Sequence, residues 1–206
     1  MKPIILPGEQ GTPAWRAAKA GRITGTRFAA AMSKKDTAGY QNLITDLAWE
    51  RVFGADDPSS HYTSKFMQEG IDREPESIDW YRFVSDVECF QPMFVIHGEH
   101  DFIGCSPDLL REDDGMAQIK NPGRAAHLKV MHDRKLPAQY RWQVQGEILV
   151  CARAWSDFVS YMPQMAGEIV RVEASQADHE ALLAECLVVN EKADALAERI
   201  RQRRAA

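Results

Sequence analysis

Three polar residues near the middle of the chain have the types and spacing of a cation-binding site. Asp108 precedes an acidic turn, Asp113-Asp114-Gly115, and Gln118 and Lys120 follow it. Because Gln118 and Lys120 are two positions apart, both side chains leave the same face of a β-strand. Asp-Gly between strand-like runs favours a hairpin, which would bring Asp108 close to this pair. A carboxylate, an amide oxygen and an ammonium group would then meet at a sheet edge, where Mg²⁺ finds the oxygen ligands that it prefers.

This stretch resembles the motif of the PD-(D/E)xK nucleases, with Pro107-Asp108 followed by Gln118-Ile119-Lys120. Further segments resemble those of the phage lambda-type recombination exonucleases, also called alkaline exonucleases. They are Gly21-Arg22-Ile23-Thr24-Gly25-Thr26, Gly70 with Glu74, Gly104-Cys105-Ser106-Pro107-Asp108 and Gln143-Val144-Gln145. The matches span roughly residues 15 to 163. The resemblance implies an α/β fold with a PD-(D/E)xK, restriction-endonuclease-like core: a central mixed sheet flanked by helices.

The resemblance implies a catalytic role for each matched residue. Asp108 would bridge or share two metal ions, Glu74 would hold the second, and Gln118 with the carbonyl of Ile119 would complete the first. Lys120 would position or deprotonate the attacking water and neutralise developing charge. Two divalent ions about 4 Å apart suit phosphodiester hydrolysis, so the implied cofactor is Mg²⁺, with Mn²⁺ as a substitute. Without the resemblance, Glu74 is better interpreted as a solvated charge among other acidic residues.

The resemblance also implies a pocket for the 5′-phosphate of the digested strand. The matching residues carry hydrogen-bond donors suited to phosphate, and they are Lys19, Thr24, Thr26, Ser106 and Gln143. Lys19 stands where the pattern more often has arginine and lacks the bidentate fork, which makes Arg22 a further candidate for a DNA contact. Thr24 or Thr26 would also cap the next helix, residues 27–32, whose N-terminus favours an anion. A cap without any ligand is the alternative.

Gln118 departs from the family pattern, which has an acidic residue there. An amide oxygen can still approach a cation, but the loss of a full negative charge weakens the binding of hard cations. The sequence therefore predicts strongly reduced or absent cleavage, and recovery by several orders of magnitude in the Gln118→Glu variant. Two explanations stay open: a deliberate Glu→Gln change that traps bound DNA, and a naturally degenerate nuclease. Intact residues at the other matched positions favour the first.

The family resemblance implies a Mg²⁺-dependent 5′-to-3′ exonuclease that digests one strand of linear double-stranded DNA and leaves 3′ overhangs for recombination. It also implies a phage or prophage protein that works in the bacterial cytoplasm on duplex ends. The protein would assemble into a homotrimeric ring that threads DNA. A single-strand annealing protein would be its partner. A catalytically dead DNA-end binding module and an endonuclease of the same fold are the alternatives.

The composition limits the class of protein. A chain of 206 residues with 45% hydrophobic content predicts one globular domain, 1–206, with helices at about 13–53 and 176–204 packed on the core. A net charge of −5 argues against DNA binding without excluding it, because the placement of charges decides binding. No apolar run approaches the roughly 18 residues of a membrane span, and the N-terminus does not resemble a secretory signal. Four widely spaced cysteines predict reduced core residues rather than a zinc or iron–sulfur site.

Predicted helices and strands must bring the candidate residues together. Thr12 and Pro13 predict a helix start, and Pro75 predicts a kink or a new start in a helix that begins near Ser64. The last helix carries an apolar seam that packs on the core or on another subunit, and its arginine-rich end is either solvated or contacts DNA phosphates. The predicted helices span residues 13–20, 27–32, 38–53, 125–132 and 137–151, and the predicted strands span residues 87–97, 101–106, 116–120, 155–162 and 168–174.

Overall fold

The structure, a computed structural model, describes residues 2–55, 65–165 and 167–205. Its strands are β1 (Ile4–Leu6), β2 (Ile23–Thr24), β3 (Cys89–Phe90), β4 (Phe94–Ile96), β5 (Ile103–Cys105), β6 (Leu109–Arg111), β7 (Gly115–Lys120), β8 (Trp155–Ser160) and β9 (Glu168–Glu173). Its α-helices are α1 (Pro13–Lys19), α2 (Arg27–Ala31), α3 (Ala38–Phe53), α4 (Lys65–Ser85), α5 (Arg124–Asp133), α6 (Arg141–Cys151) and α7 (Gln176–Ala205). A 3₁₀ turn, Ala138–Tyr140, precedes α6.

The strands form two mixed sheets, which confirms the predicted α/β class. One sheet has the order β1-β4-β5-β2 and the other has the order β3-β6-β7-β8-β9. Strands β2 and β5 are parallel, as are β7 and β8, and the other neighbouring pairs are antiparallel. The expected single central sheet is therefore divided in two.

The predicted hairpin forms, but from a different first strand. Strand β5 ends at Cys105, and Ser106-Pro107-Asp108 leads the chain into β6 of the other sheet. Strand β6 then pairs with β7 in the register Leu109↔Ala117. This register places Asp108 opposite Gln118. The expectation that the strand before Pro107 forms the hairpin was wrong, because the chain changes sheets at that proline.

A second predicted strand, residues 87–97, is also divided between the sheets. It becomes β3 and β4, which belong to different sheets, with Pro92 between them. Proline has no N–H group to donate to a sheet ladder, so a continuous central strand through Pro92 is disfavoured.

Glycine is required where β7 begins. A Cβ atom at Gly115 would lie 2.2 Å from the Trp155 ring, so a larger residue would displace this ring or the strand. The Gly115 N–H group donates to Asp113 Oδ1 at 3.0 Å, which closes the turn before β7. The Asp-Gly signal in the sequence thus has a local cause, the turn, and a tertiary one, the close approach of Trp155.

Two apolar cores hold the sheets and helices together. The larger one includes residues of α2, α3, α6 and α7 with β4 and β5. The smaller one joins α4 to the hairpin and β8 through Ile78, Tyr81, Leu109, Ala117, Ile119 and Val159. Burial of one large apolar side chain stabilises the fold by about 1.5–3 kcal/mol, so this small core fixes α4 against the strand that carries Gln118 and Lys120.

Most helix boundaries follow the sequence signals. Thr12 Oγ1 accepts from Trp15 N at 3.2 Å and caps α1. Helix α4 continues through Pro75 as one element, so of the two predicted alternatives, a kink or a new start, the new start was wrong. The predicted start near Ser64 lies outside the described residues. Among the described residues, no helix is both long enough and apolar enough to cross a membrane.

The seam of α7 faces the core of this chain. Its residues Leu182, Cys186, Val189 and Ala193 are buried in the larger core, whereas Leu196 is only partly buried. All four cysteines are free, and Cys105, Cys151 and Cys186 are buried as predicted, whereas Cys89 is only partly buried. Cys105 and Cys151 lie in the same core with their sulfur atoms 3.4 Å apart.

Candidate active site

A cleft of about 300 Å³ lies beside the crossing from β5 to β6. Residues of the predicted metal site and of the predicted 5′-phosphate pocket both line it. Its lining residues are Gln10, Trp15, Lys19, Thr24, Gly25, Thr26, Arg27, Ser106, Asp108, Gln118, Lys120, Gln143 and Glu147.

Asp108 is held by the strand opposite. Its Oδ2 atom accepts from Gln118 Nε2 at 2.6 Å and from the Ile119 backbone N–H at 2.5 Å. Burial raises the pKa of Asp108 to about 6, while Lys120 and the Ile119 N–H oppose the rise and the charge of Glu74 adds to it. Pairing of β6 with β7 thus produces the predicted meeting of residues 108 and 118.

Lys120 shares the cleft face of β7 with Gln118. Its Nζ atom lies 5.7 Å from the centre of the Tyr140 ring, which precedes α6. The positive charge of Lys120 acts on Asp108 and also on Glu147. Lys120 is therefore positioned to pair with anionic groups in the cleft.

Glu147 is a cleft residue that the sequence reasoning missed. It lies on α6, one turn after Gln143, whose Nε2 atom donates to Glu147 Oε1 at 2.9 Å. Burial raises the pKa of Glu147 to about 8; Lys120 and Gln143 oppose the rise and Asp108 adds to it. The only signal in the sequence was the four-residue spacing from Gln143, which places both residues on one helix face.

The donors of the predicted phosphate pocket gather at the α1 side of the cleft. Trp15 Nε1 donates to Ser106 Oγ at 2.6 Å, and Lys19 Nζ lies 4.7 Å from the centre of the Trp15 ring. Burial and the nearby charge of Arg27 lower the pKa of Lys19, against the opposing effect of Glu50. The buried hydroxyl oxygen of Thr24 has no hydrogen-bond partner in the protein.

The predicted cap holds in position only: Thr26 is the N-cap residue of α2, but its side chain makes no capping hydrogen bond. Thr24 belongs to β2, and Thr26 has helical backbone angles with no side-chain bond to the helix. A capping side chain needs an extended backbone to reach the next N–H groups. Gly25 has a φ of 49°, a left-handed turn that leads from the strand into the helix. Both hydroxyl groups line the cleft instead.

Arg22 does not line the cleft. Its guanidinium group donates to the backbone carbonyls of Asp101 and Ala18, each at 2.6 Å. These bonds link the start of β2 to α1 and to the chain before β5. The nearby arginine of the cleft is Arg27, which is paired with Glu50 and donates to Glu50 Oε2 at 2.9 Å. The sequence pattern could not separate these two arginines because both flank the same threonines.

Glu74 lies next to the cleft and not in its lining. Its Oε1 atom accepts from Gln91 Nε2 at 3.1 Å, and it borders a separate depression of about 320 Å³ with Asp79 and Arg82. Its charge still acts on Asp108. Asn121, which follows Lys120, donates to Gly70 O at 3.2 Å and so fixes α4 beside the end of β7.

The oxygen donors of the cleft fit a divalent cation. In the chain segments that the structure describes, no group of three histidine, cysteine or acidic side chains is arranged to hold a metal ion by itself. The cleft instead offers two carboxylates and an amide, and the buried atoms Gln118 Oε1 and Glu147 Oε2 have no hydrogen-bond partner. Hard cations such as Mg²⁺ select carboxylate, carbonyl and water oxygens. The residues present are therefore compatible with such an ion.

A β-hairpin that carries Asp108, Gln118 and Lys120 on a mixed sheet flanked by helices places the chain in the PD-(D/E)xK fold class. The family model described as the YqaJ-like viral recombinase domain matches residues 14–154. The chain belongs to this family.

Solved structures of exonucleases are similar over almost the whole chain. An alkaline exonuclease from Laribacter hongkongensis, LHK-Exo, is 26% identical, with 94% of this chain and 98% of that chain covered and a TM-score of 0.85. The same enzyme in complex with dAMP is similar with 26% identity, the same coverage and a TM-score of 0.86. A phage related exonuclease from Haemophilus somnus 129PT shares the fold at 12% identity, with 88% and 96% coverage and a TM-score of 0.64.

No curated protein matches the chain. The family and the likeness to an alkaline exonuclease support a deoxyribonuclease with a role in recombination.

Proposed function

We propose that this protein is a divalent-metal-dependent 5′-to-3′ exodeoxyribonuclease. It digests one strand of linear double-stranded DNA and leaves 3′ overhangs for recombination. The observation that supports this function is the single cleft that joins Asp108, Gln118 and Lys120 to the donors Lys19, Thr24, Thr26 and Ser106. A terminal phosphate at the donor side would place a phosphodiester of the same strand near Asp108.

Asp108, the side-chain oxygen of Gln118 and the carbonyl of Ile119 would hold the first cation, and Glu74 would hold a second beside Asp108. A bound Mg²⁺, or Mn²⁺ in its place, would supply a Lewis acid for the scissile phosphate. Lys120 would hold the attacking water and offset the negative charge that develops on the phosphate. Glu74 accepts from Gln91 in an exposed hydrogen bond through Oε1, and its carboxylate would turn toward Asp108 to take part.

The terminal 5′-phosphate would bind where Lys19, Thr24, Thr26, Ser106 and Gln143 meet. The unpartnered hydroxyl of Thr24 and the ammonium group of Lys19 are suited to a phosphate dianion, since charge-assisted hydrogen bonds are the stronger kind. Arg22 is excluded from this pocket by its two bonds to backbone carbonyls. Arg27, paired with Glu50, adds positive charge at the edge of the pocket.

Gln118 slows hydrolysis in this proposal, because it offers a neutral oxygen where the family motif has a carboxylate. We expect digestion by this chain to be much slower than digestion by its Gln118→Glu variant. A catalytically dead DNA-end binding protein and an endonuclease of the same fold are the competing functions.

End-labelled DNA tests the proposal. Linear duplex DNA carrying a label at the 5′ or the 3′ ends would be incubated with the protein or with its Gln118→Glu variant, in Mg²⁺ or in EDTA. Early, Mg²⁺-dependent release of the 5′ label, faster with the variant, is the expected result. Cleavage of covalently closed circles would favour the endonuclease. End binding without digestion by either protein would favour the binding module.

The proposal extends to the assembly that would act on DNA. A homotrimeric ring around the duplex would keep the enzyme on its track, and a single-strand annealing protein would take over the 3′ tail in the bacterial cytoplasm. Light scattering of the purified protein would test the trimer, and a monomer at micromolar concentration would contradict it.

A further inference from the structure

Glu147 brings to the cleft a buried carboxylate that the sequence motif does not account for. Its side chain comes from α6, whereas the motif residues come from β7 and from the crossing before β6. Helix α6 packs against β4, β5 and β8, so this carboxylate is held by the core of the protein rather than by a loop. Glu147 is only 2% exposed.

Besides the Thr24 hydroxyl, two buried oxygens in this cleft lack a hydrogen-bond partner in the protein. Glu147 uses Oε1 to accept from Gln143, which leaves Oε2 unpartnered. Gln118, 3% exposed, uses Nε2 to donate to Asp108, which leaves Oε1 unpartnered. A buried acceptor without a donor is costly, so such atoms call for an explanation. Two of them in one cleft beside the Asp108 carboxylate form a set of oxygen donors that a cation would satisfy.

We infer that Glu147 supplies the carboxylate that position 118 lacks, so that Asp108, Gln118 and Glu147 together bind one divalent cation. The inference rests on the proposed function, because it assigns the ligands of the same site. The site then has two carboxylates, which is the number that the motif provides. The second one comes from a helix instead of from β7. This arrangement gives a further explanation of Gln118: the acidic ligand has moved within the cleft.

The hydrogen bonds around the three side chains favour this assignment. Gln143 fixes one oxygen of Glu147, which orients the other. The Gln118 amide nitrogen donates to Asp108, so the amide oxygen is the atom left without a donor. A glutamate at position 118 could not donate to Asp108, and it would add a third carboxylate to a cleft that already holds two. Gln118 and Glu147 therefore suit each other in charge and in hydrogen bonding.

Mn²⁺ affinity of the DNA-free protein, measured by isothermal titration calorimetry at pH 8, tests the inference. We expect Glu147→Gln to weaken binding by about tenfold or more, and Gln118→Glu to strengthen it. The double variant, Gln118→Glu with Glu147→Gln, again has two carboxylates and should bind within about threefold of the parent. Glu180→Gln makes the same chemical change at an exposed position of α7 and should leave the affinity unchanged.

Two results would overturn the inference: Mn²⁺ binding by Glu147→Gln that equals that of the parent, or a double variant that binds as weakly as Glu147→Gln. If thermal melting shows that Glu147→Gln does not fold, the inference is tested on the parent protein by metal-directed cleavage. Bound Fe²⁺ with ascorbate and peroxide cleaves the backbone next to the metal, and cuts near residue 147 as well as near 108 and 118 are expected. No cut near 147 would contradict the assignment. Because none of these measurements uses DNA, they can fail or succeed independently of the nuclease activity.

Discussion

At the scale of single residues, Gln118 affects both the metal-free site and the binding of a cation. Its amide donates to Asp108 at 2.6 Å, so the metal-free site is satisfied where two facing carboxylates would repel each other. The same residue leaves its oxygen buried and unpartnered. Glutamine at this position therefore stabilises the empty site and weakens one cation ligand at the same time.

Glu147 gives the metal-free protein a characteristic dependence of stability on pH. Burial raises its pKa from 4.5 to about 8 in the folded state. Between these values the folded state binds more protons than the unfolded state, so stability falls as the pH rises. The contribution of the protonated carboxyl is fully present below about pH 4.5 and is lost as the pH passes through about 8.

We therefore expect Glu147→Gln, which stays neutral, to be more stable than the parent at pH 8.5 by about 4–5 kcal/mol. At pH 4.5 the two proteins should be nearly equally stable. Urea unfolding with EDTA present measures the difference. An unchanged difference across this pH range would show that the Glu147 carboxyl is not desolvated in the folded protein.

Lys19 is expected to recognise the terminal phosphate through charge. Lys19→Ala should slow digestion of 5′-phosphorylated ends by about tenfold or more, and digestion of 5′-hydroxyl ends far less. Initial rates on the two substrates measure the selectivity. Arg16→Ala, on the same helix but outside the cleft lining, is the matched control. Equal slowing on both substrates would count against the phosphate pocket.

At the scale of elements, a buried ionic network holds the hairpin on β8 and β9. Asp157 Oδ2 accepts from Tyr81 Oη at 2.8 Å, and Arg171 donates to both Asp157 oxygens, at 3.0 and 3.1 Å. Arg111 donates to the same tyrosine at 2.8 Å, and its side chain is 8% exposed. Arg111 and Arg171 both also lie over Trp155, with their guanidinium carbons 4.8 and 3.5 Å from the centre of its ring. The network joins α4, β6, β8 and β9, and β6 and β8 flank β7, the strand that carries Gln118 and Lys120.

Asp157→Asn should lower the free energy of unfolding by about 3 kcal/mol, because it leaves Arg111 buried with less compensating charge. Urea denaturation measures the loss. Asp79→Asn removes an exposed partner of Arg82 and should leave stability almost unchanged. If both variants lose the same stability, the buried network does not hold the hairpin.

At the scale of the whole molecule, local charge outweighs net charge. The chain carries a net charge of −5, yet its cleft includes Lys19, Arg27 and Lys120 beside two carboxylates. A cation bound between Asp108 and Glu147 would make this cleft more positive and so more attractive to DNA phosphates. Overall acidity is therefore compatible with a DNA-processing enzyme.

Metal binding should stabilise the entire fold, because a ligand that binds only the folded state shifts the unfolding equilibrium. We expect Mg²⁺ at 100 times its dissociation constant to add about 2.7 kcal/mol, and EDTA to reverse this gain. Thermal melting at pH 8 with MgCl₂, or with KCl at equal ionic strength, measures it as a rise of several degrees. The rise should be much smaller in Glu147→Gln. If Mg²⁺ does not change the melting temperature of the parent protein, a metal site in the cleft is contradicted.

Local signals in the sequence were enough for most helices and for the core of the candidate site. Thr12 with Pro13 marks the start of α1, and Asp-Gly at 114–115 marks the turn before β7, because caps and turns depend on neighbouring residues. The two-residue spacing of Gln118 and Lys120 placed both on one face of β7, because the alternation of side chains along a strand is a local property.

Contacts between distant segments determined the rest of the site. Only the folded chain shows that Glu147 enters the cleft from α6, that Arg27 borders it while Arg22 binds carbonyls, and that Glu74 bonds to Gln91. It also shows the change of sheets at Pro107, with Asp108 opposite Gln118. These features depend on side chains far apart in the sequence that compete for the same buried donors and acceptors. The spacing of residues along the chain does not predict which donor pairs with which acceptor, because packing in three dimensions determines these pairs.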